Sequence, residues 1–596
     1  MHSESNNKLE FPPISGYDFE VTTTPKEKRY SEFDFTATTP RSKGLDGIDE
    51  KNESPKRKEI TPEITPLFRE FCDNASVHGV NHLRTERVKV KRWVWTIFVI
   101  LALGFNLFHC SLLIDKYLGF PSEETQFVDQ SWIEFPSVTI CNINAMSRIT
   151  RKKMLEDNST LLYKWHDYVN NRFEALVSDL ADGYSLEGSN LLDTLELLYN
   201  RVHLPTGYLE NIGEEALEVG HKLNDLVVDC TFGITKCHAV NFTSFFESTY
   251  YNCYTFNGGN VSTSHNNLIT RTTGPQEGLS IIMYLESDNG NINENGSYLT
   301  MSKLNNAAGA RVMIHAPNTM PSPTDQGFDI PPGFSSSVGV SVSTRTRLGE
   351  PYAKCSKREI NIGTDYLYSD NICLKLCQQR YVMGNCNCIS SLLPFDRSTD
   401  LYFCGHMDYN NNASFFENMA CESRVLEEFV HNEDVRRECG CHPPCHNYIY
   451  NYQTSQSYWP LEYYQADFYD LYILSDPNKE NLKAYQNLKH HNVPQLIEKG
   501  LIRKNFLRLN VYLKDLTIVQ HIEKRSYAIE NLFSDVGGTF GLWAGMSILT
   551  ICEFSELFFR VMAILVSKFL SIFGPMSTRA VVEDSSSNSH TPVRRT

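Results

Sequence analysis

The sequence predicts an α+β membrane protein in which two transmembrane helices per subunit bracket a large, disulfide-rich β core with helical attachments. Three observations carry this expectation: two long apolar stretches towards the ends of the chain, an even set of cysteines confined between them, and a middle region where period-two and helical apolar patterns both occur. At 596 residues the chain is several times the usual domain size and has ample material for such a core.

The first apolar stretch, residues 94–114, reads VWTIFVILALGFNLFHCSLLI. At ~1.5 Å per residue it is long enough to cross a hydrocarbon layer about 30 Å thick. The second, residues 536–570, is longer and is interrupted by glycines and by Glu553, Glu556 and Arg560, the pattern of a broken helix beside water. Arg84, Arg87, Lys89, Lys91 and Arg92 precede the first stretch, whereas only Lys116 follows it closely. The positive-inside bias therefore places the N-terminus in the cytoplasm, and a second crossing returns the C-terminus there. Residues 1–90 show no apolar signal-peptide core, so the first span is expected to act as the membrane signal.

Of 17 cysteines, Cys72 precedes the first span, Cys110 lies within it and Cys552 lies within the second. The others are Cys141, Cys230, Cys237, Cys253, Cys355, Cys373, Cys377, Cys386, Cys388, Cys404, Cys421, Cys439, Cys441 and Cys445. Their even number in a segment expected outside the cell predicts disulfides throughout. For Cys373, Cys377, Cys386, Cys388, Cys439, Cys441 and Cys445, with His442 and His446 nearby, zinc ligation is the alternative. Sequons at Asn158, Asn241, Asn260, Asn295 and Asn412 fall in the same segment and fit extracellular glycosylation. Those at Asn52 and Asn74 would lie inside the cell and stay unused.

Residues 1–65 and 571–596 are rich in polar residues and proline, and are expected to be disordered cytosolic tails. Thr24-Pro25, Thr39-Pro40, Ser54-Pro55, Thr61-Pro62 and Thr65-Pro66 are either sites of proline-directed phosphorylation or simple loop composition. Residues 159–226 carry apolar residues at helical spacing, broken near Asp182-Gly183 and Pro205. Leu507, Leu509, Val511 and Leu513 alternate as on one face of a strand, and so do Val338, Val340 and Val342. A net charge of −16 argues against a nucleic-acid partner. Without a nucleophile elbow, an HExxH or a phosphate loop, neither an enzyme nor a cofactor is expected.

Five ordered motifs then resemble the degenerin/epithelial sodium channel family. They are Ser76-Val77-His78-Gly79, the run Phe135-Pro136-Ser137-Val138-Thr139-Ile140-Cys141-Asn142, Cys253-Tyr254-Thr255-Phe256-Asn257, the cluster Cys439 to Cys445 running on to Ser457-Tyr458-Trp459-Pro460, and residues 532–556. Within that family, GARVMIHAPNTMPSPTDQGFDIPPGFSSSV at 309–338 and SYWPLEYYQ at 457–465 resemble the FMRFamide-gated sodium channels of invertebrates.

The resemblance implies a division into a pre-membrane segment, 66–92, with a re-entrant loop at His78 and Gly79; a first span, 93–115; an extracellular domain, 116–526, with finger helices near 145–230 and a thumb; and a second span with the pore, 527–570. It makes Gly545, Met546 and Ser547 the selectivity filter of a homotrimer in the plasma membrane. From residue types alone, the same small residues also suit plain helix packing. Glu553 and Glu556, three apart on one helical face, would become carboxylate rings under threefold symmetry, unless Glu556 pairs locally with Arg560. Ser534, with Asp535 beside it, matches the family's gate position, near which amiloride-like blockers lodge.

An FMRFamide-like neuropeptide would bring two aromatic rings, a thioether and two cations, and needs aromatic walls with a few acidic groups. Trp165, Phe173, Asp179, Asp182, Tyr184 and Glu187 supply those types in the expected finger. Sodium, the peptide, amiloride and the lipid bilayer are thus the expected partners. Gating by protons, by another peptide or by mechanical force stays open, and a two-pass receptor or adhesion protein is the reading outside channels.

Overall fold

The computed structural model describes residues 64–74, 77, 79, 82, 86–130, 132–172, 201–259, 268–288, 307–397, 399–407, 412–474, 486–489 and 491–573. The chain divides into a main unit, Phe68–Met562, and a small one made of residues 1–67 and 563–596. Among the described residues, the small unit holds only the start of one helix and the end of another.

Helix α1 (Ile64–Asn74) precedes α2 (Lys89–Leu118), which is long and apolar enough to cross a membrane. The chain then runs through β1 (Ser122–Gln130) and β2 (Ser137–Asn142) into a helical cluster of α3 (Arg148–Leu155), α4 (Leu161–Asn171) and α5 (Pro205–Ile212). These helices start where their sequences dictate. Ser147 and Thr160 accept the Thr150 and Tyr163 N–H groups as side-chain caps, and Pro205 occupies the first position of α5, where its missing N–H costs nothing. Strands β3 (Val227–Phe232), β4 (Phe242–Glu247), β5 (Tyr251–Phe256), β6 (Leu279–Tyr284), β7 (Ala310–His315), β8 (Phe328–Ile330) and β9 (Phe334–Thr346) follow. After the helices α6 (Asp370–Cys386) and α7 (Asn412–His431) come β10 (His446–Tyr458) and the 20-residue β11 (Phe506–Arg525). The chain closes on α8 (Ile529–Ala544) and α9 (Ile548–Phe573).

One sheet has the order β10-β9-β11-β6-β3, extended by the short strand Thr235–Lys236, with β1 pairing along the far half of β11. Strand β9 runs parallel to β11, with Val338 opposite Val511 and Val340 opposite Leu513. A second sheet, β8-β7-β2-β5-β4, is antiparallel throughout. The expected alternation is realised: Leu507, Leu509, Val511, Leu513, Val338, Val340 and Val342 are all buried, packed in one core with Val138, Ile140 and Val312. Truncating any one of these Leu residues to Ala would cost about 2–5 kcal/mol. A separate core holds the helical cluster together around Leu162, Trp165, Tyr208, Ile212 and Phe415.

The fourteen cysteines between the apolar stretches form seven disulfides. Cys141–Cys253 joins directly opposed residues of β2 and β5, and Cys230–Cys237 closes a short hairpin. Cys355–Cys445, Cys373–Cys441, Cys377–Cys439, Cys386–Cys421 and Cys388–Cys404 staple α6, α7 and the loops around them. This corrects the zinc alternative, because sulfurs bonded in pairs offer no thiolate to a metal.

The second apolar stretch does not fold as one uninterrupted span. It forms α8 and α9, separated at residues 545–547, with Glu553, Glu556 and Arg560 on the second helix.

Candidate functional site

The break between α8 and α9 is built by local chemistry. Gly545 sits at φ +61°, the left-handed region that glycine enters without a Cβ penalty. Its N–H donates to the Gly541 carbonyl at 3.1 Å, and the Met546 N–H reaches back to Phe540 at 3.1 Å, which closes α8. Helix α9 restarts from Ser547, whose N–H donates to Thr550 Oγ1 at 3.1 Å and whose carbonyl accepts the Ile551 N–H at 3.3 Å. The chain thus leaves helical geometry at Gly545, Met546 and Ser547 and at once resumes it.

Helix α2 packs against α8. Phe105 stacks on Trp543 with ring centroids 5.2 Å apart, and Cys110 Sγ lies 3.5 Å from Thr539 Oγ1. The buried Asn106 carbonyl accepts a bond from Cys110 Sγ, so this polar side chain in an apolar helix is satisfied. On α9, Arg560 pairs with Glu556 and also lies 4.0 Å from Glu70 of α1, while Phe71 packs on Phe554 at 4.9 Å.

The strands that adjoin α2 and α8 in the chain are hydrogen-bonded to each other. β1, which follows α2, pairs without interruption with β11, which precedes α8, from Ser122 opposite Arg525 to Gln130 opposite Thr517. Beside this ladder Glu124 accepts from Arg345 at 3.1 and 3.2 Å and lies 2.6 Å from His521 Nδ1. The Arg345 and His521 bonds hold its carboxyl below the usual range. Tyr352, from the loop stapled by Cys355, meets Phe120 edge-on at 5.4 Å and lies under the Arg525 guanidinium at 5.5 Å. Tyr527 donates to Asp535 at 2.7 Å and carries the Lys116 ammonium over its ring at 4.4 Å.

A cavity of about 430 Å³ opens between the β4–β5 hairpin and the loop at 392–397. Phe246 and Phe395 line it, with Arg397 stacked over Phe246 at 4.3 Å. Glu247 lines it too, accepting from Thr324 Oγ1 at 2.6 Å and from the Thr249 N–H at 2.8 Å; burial pushes its carboxyl up. Arg201 lies between two buried carboxylates, 2.6 Å from Glu210 and 2.7 Å from Glu422, and joins α5 to α7. Burial pushes the Glu422 carboxyl up.

A family model described as amiloride-sensitive sodium channel matches residues 71–557. The FMRFamide-activated amiloride-sensitive sodium channel of Cornu aspersum is 32% identical over 576 residues, 88% of this chain and 87% of that protein. The chain belongs to the amiloride-sensitive sodium channel family. Among other members, epithelial sodium channel subunit gamma-2 of Xenopus laevis is 25% identical over 84% of this chain and 80% of its own length. The degenerin-like protein asic-2 of Caenorhabditis elegans is 26% identical over 82% and 86%.

For this member of the amiloride-sensitive sodium channel family, the structure brings some of the expected residues together and not others. Gly545, Met546 and Ser547 form the helix break itself. Glu553 is half-buried on α9, whereas Glu556 is exposed and paired with Arg560. Ser534 is exposed in the second turn of α8, and Asp535 takes the Tyr527 bond. Gly79 has φ +87°, and a Cβ there would come within 2.9 Å of Val99, so only glycine suits the position; His78 lies outside the described residues.

Trp165 is fully buried in the helical core, stacked near Tyr168, and presents no surface to a ligand in this structure. Phe173, Asp179, Asp182, Tyr184 and Glu187 lie outside the described residues, as do Asn260 and Asn295. Sequence reasoning missed the cavity, the Arg201 cluster and the Tyr527–Asp535 bond. Only spatial proximity joins their members, and no periodicity marks them.

Proposed function

We propose that the chain is a subunit of a sodium-selective channel that crosses the plasma membrane twice, with both termini in the cytoplasm, and that three copies surround one pore. We further propose that an extracellular FMRFamide-like neuropeptide opens it and that amiloride blocks it. The carrying observation is the break at Gly545-Met546-Ser547 inside the second apolar stretch. Backbone released from helical bonding at membrane depth is tolerated where it lines water, and its carbonyls then replace part of an ion's hydration shell.

In this reading Glu553 supplies the carboxylate ring that concentrates cations, because Glu556 is neutralised by Arg560. Ser534 stands at the outer gate and His78-Gly79 in the re-entrant loop below the pore. The peptide settles against the finger near 145–230, and its binding energy reaches the gate through β1 and β11, which lead to α2 and α8. The 32% identity to the Cornu aspersum protein supports peptide gating.

The test is voltage-clamp recording from oocytes expressing the chain alone. FMRFamide should evoke an amiloride-sensitive inward current reversing near the sodium potential. Current evoked by protons but not by any amidated peptide would remove peptide gating. The absence of current under peptide, acid and stretch, with the protein at the surface, would remove the channel reading.

A further inference from the structure

Glu286 lies just beyond β6 at φ +56°, a left-handed backbone that a side-chain-bearing residue rarely adopts. Its carboxylate is buried, 3% exposed. Oε2 accepts from Ser147 Oγ and from the Arg148 N–H, each at 3.0 Å, and Oε1 accepts from the Ile149 N–H at 3.1 Å. Those amides open helix α3, so a residue of the sheet holds the start of a helix 138 positions away in sequence. The backbone beside it is fixed as well: the Leu285 N–H donates to Asn505 at 2.8 Å, and Leu285 O accepts from Asn142 Nδ2 at 2.9 Å.

The charged and titratable groups facing this carboxylate are few. His221 Nδ1 is 3.9 Å away and buried, and burial holds that imidazole down to about 4, so it is neutral. Asp225 adds negative potential. Burial pushes the Glu286 carboxyl up to about 7, against the three donors of α3 and its cap, which favour its charged form.

We propose that Glu286 is the coupling residue that fastens the helical cluster to the sheet leading into the pore, which rests on the peptide-gated reading above. Movement of α3 pulls on Glu286 and hence on β6. β6 is paired with β11 from Phe506 opposite Tyr284 to Val511 opposite Leu279, and β11 runs on towards α8. Loss of the three-donor cap lets the cluster move without the sheet, so more peptide is needed for the same opening.

The test compares peptide concentration–response curves of wild type and E286Q at equal surface expression, together with unitary conductance. The amide keeps the shape but meets three donors with one good acceptor. The half-maximal concentration should rise about fivefold to tenfold, with conductance and reversal potential unchanged. An unchanged half-maximal concentration overturns the proposal, and so does a change in conductance that accompanies the shift. If E286Q does not reach the surface, S147A removes one donor only and should give a smaller shift in the same direction; no shift overturns the proposal. If wild type itself is silent to peptide, the gating reading fails. The fastening is then judged by hydrogen exchange in purified full-length protein. Exchange in residues 145–156 should be faster in E286Q than in wild type, and equal rates overturn it.

Discussion

The Tyr527 hydroxyl donates to the Asp535 carboxylate at 2.7 Å, and this bond links the end of β11 to the second turn of α8. With Lys116 over the Tyr527 ring at 4.4 Å, one phenol touches both the end of α2 and, through Asp535, α8. Removing the hydroxyl in Y527F deletes a hydrogen bond to a charged acceptor. The expected outcome is a severalfold higher half-maximal peptide concentration with normal unitary conductance, read from single-channel and whole-cell records.

At the helix break, S547L places a bulky apolar side chain where the backbone leaves helical geometry. Loss of current, or a reversal potential displaced from that of sodium, is expected. An unchanged sodium-to-potassium preference would remove this segment from the selectivity mechanism. G545A should express poorly, since a Cβ at φ +61° costs about 1–2 kcal/mol.

Arg560 pairs with Glu556 in this structure. Replacing it in R560Q leaves that carboxylate uncompensated, so the inward unitary conductance for sodium should rise, measured at low ionic strength where screening is weakest. Equal conductance would place the pair away from the ion path.

Ser534 is exposed on α8 one residue before the Tyr527-bonded Asp535. Modifying S534C from outside with a bulky thiol reagent should hold the gate open and leave a standing amiloride-sensitive current after peptide washout. Insensitivity to the reagent would contradict that placement.

The β-rich domain between α2 and α8 should lose stability on acidification. His221 and His315 are fully buried, and burial lowers each to about 4, below the ordinary 6.5. The unfolded chain therefore binds protons that the fold refuses, and stability is lost as pH falls from about 6.5 towards 4. Each histidine contributes about 3 kcal/mol by the end of that range. Glu286, raised to about 7, acts in the opposite sense, since its charged form costs the fold as pH rises from 4.5 to 7. Melting curves of detergent-solubilised wild type should show a midpoint falling below pH 6.5, and H315Q should flatten the profile.

Much of the β core was legible because burial leaves a period in the chain: Leu507 to Leu513 and Val338 to Val342 alternate and are buried as expected. The cysteine count foretold complete pairing but not partners, because Cys373–Cys441 and Cys377–Cys439 depend on how α6 lies against the loop at 439–445. A break within the second apolar stretch was readable from glycine and charge, whereas its place at residues 545–547 came from the family resemblance. Trp165 shows the limit of residue-type reasoning, because an aromatic suited to a ligand wall is equally suited to a core, and here the core took it. Glu286 and Arg201 left no trace, since they meet partners that the sequence scatters widely, and the Tyr527–Asp535 bond left none because it crosses from one element to the next.

Strand β11 is flanked along most of its 20 residues, by β9 throughout much of its length and by β6 and then β1 on the other side. At ~3.3 Å per residue it extends for at most roughly 65 Å. Each paired stretch resists bending, because that would break ladder bonds on two sides at once, whereas residues 514–516, at the shift in register with β9, fall between the paired stretches and are where the strand can give. Its travel should therefore be limited by sliding of side-chain layers, and gating should show the modest heat sensitivity of repacking instead of the steep one of a melting strand.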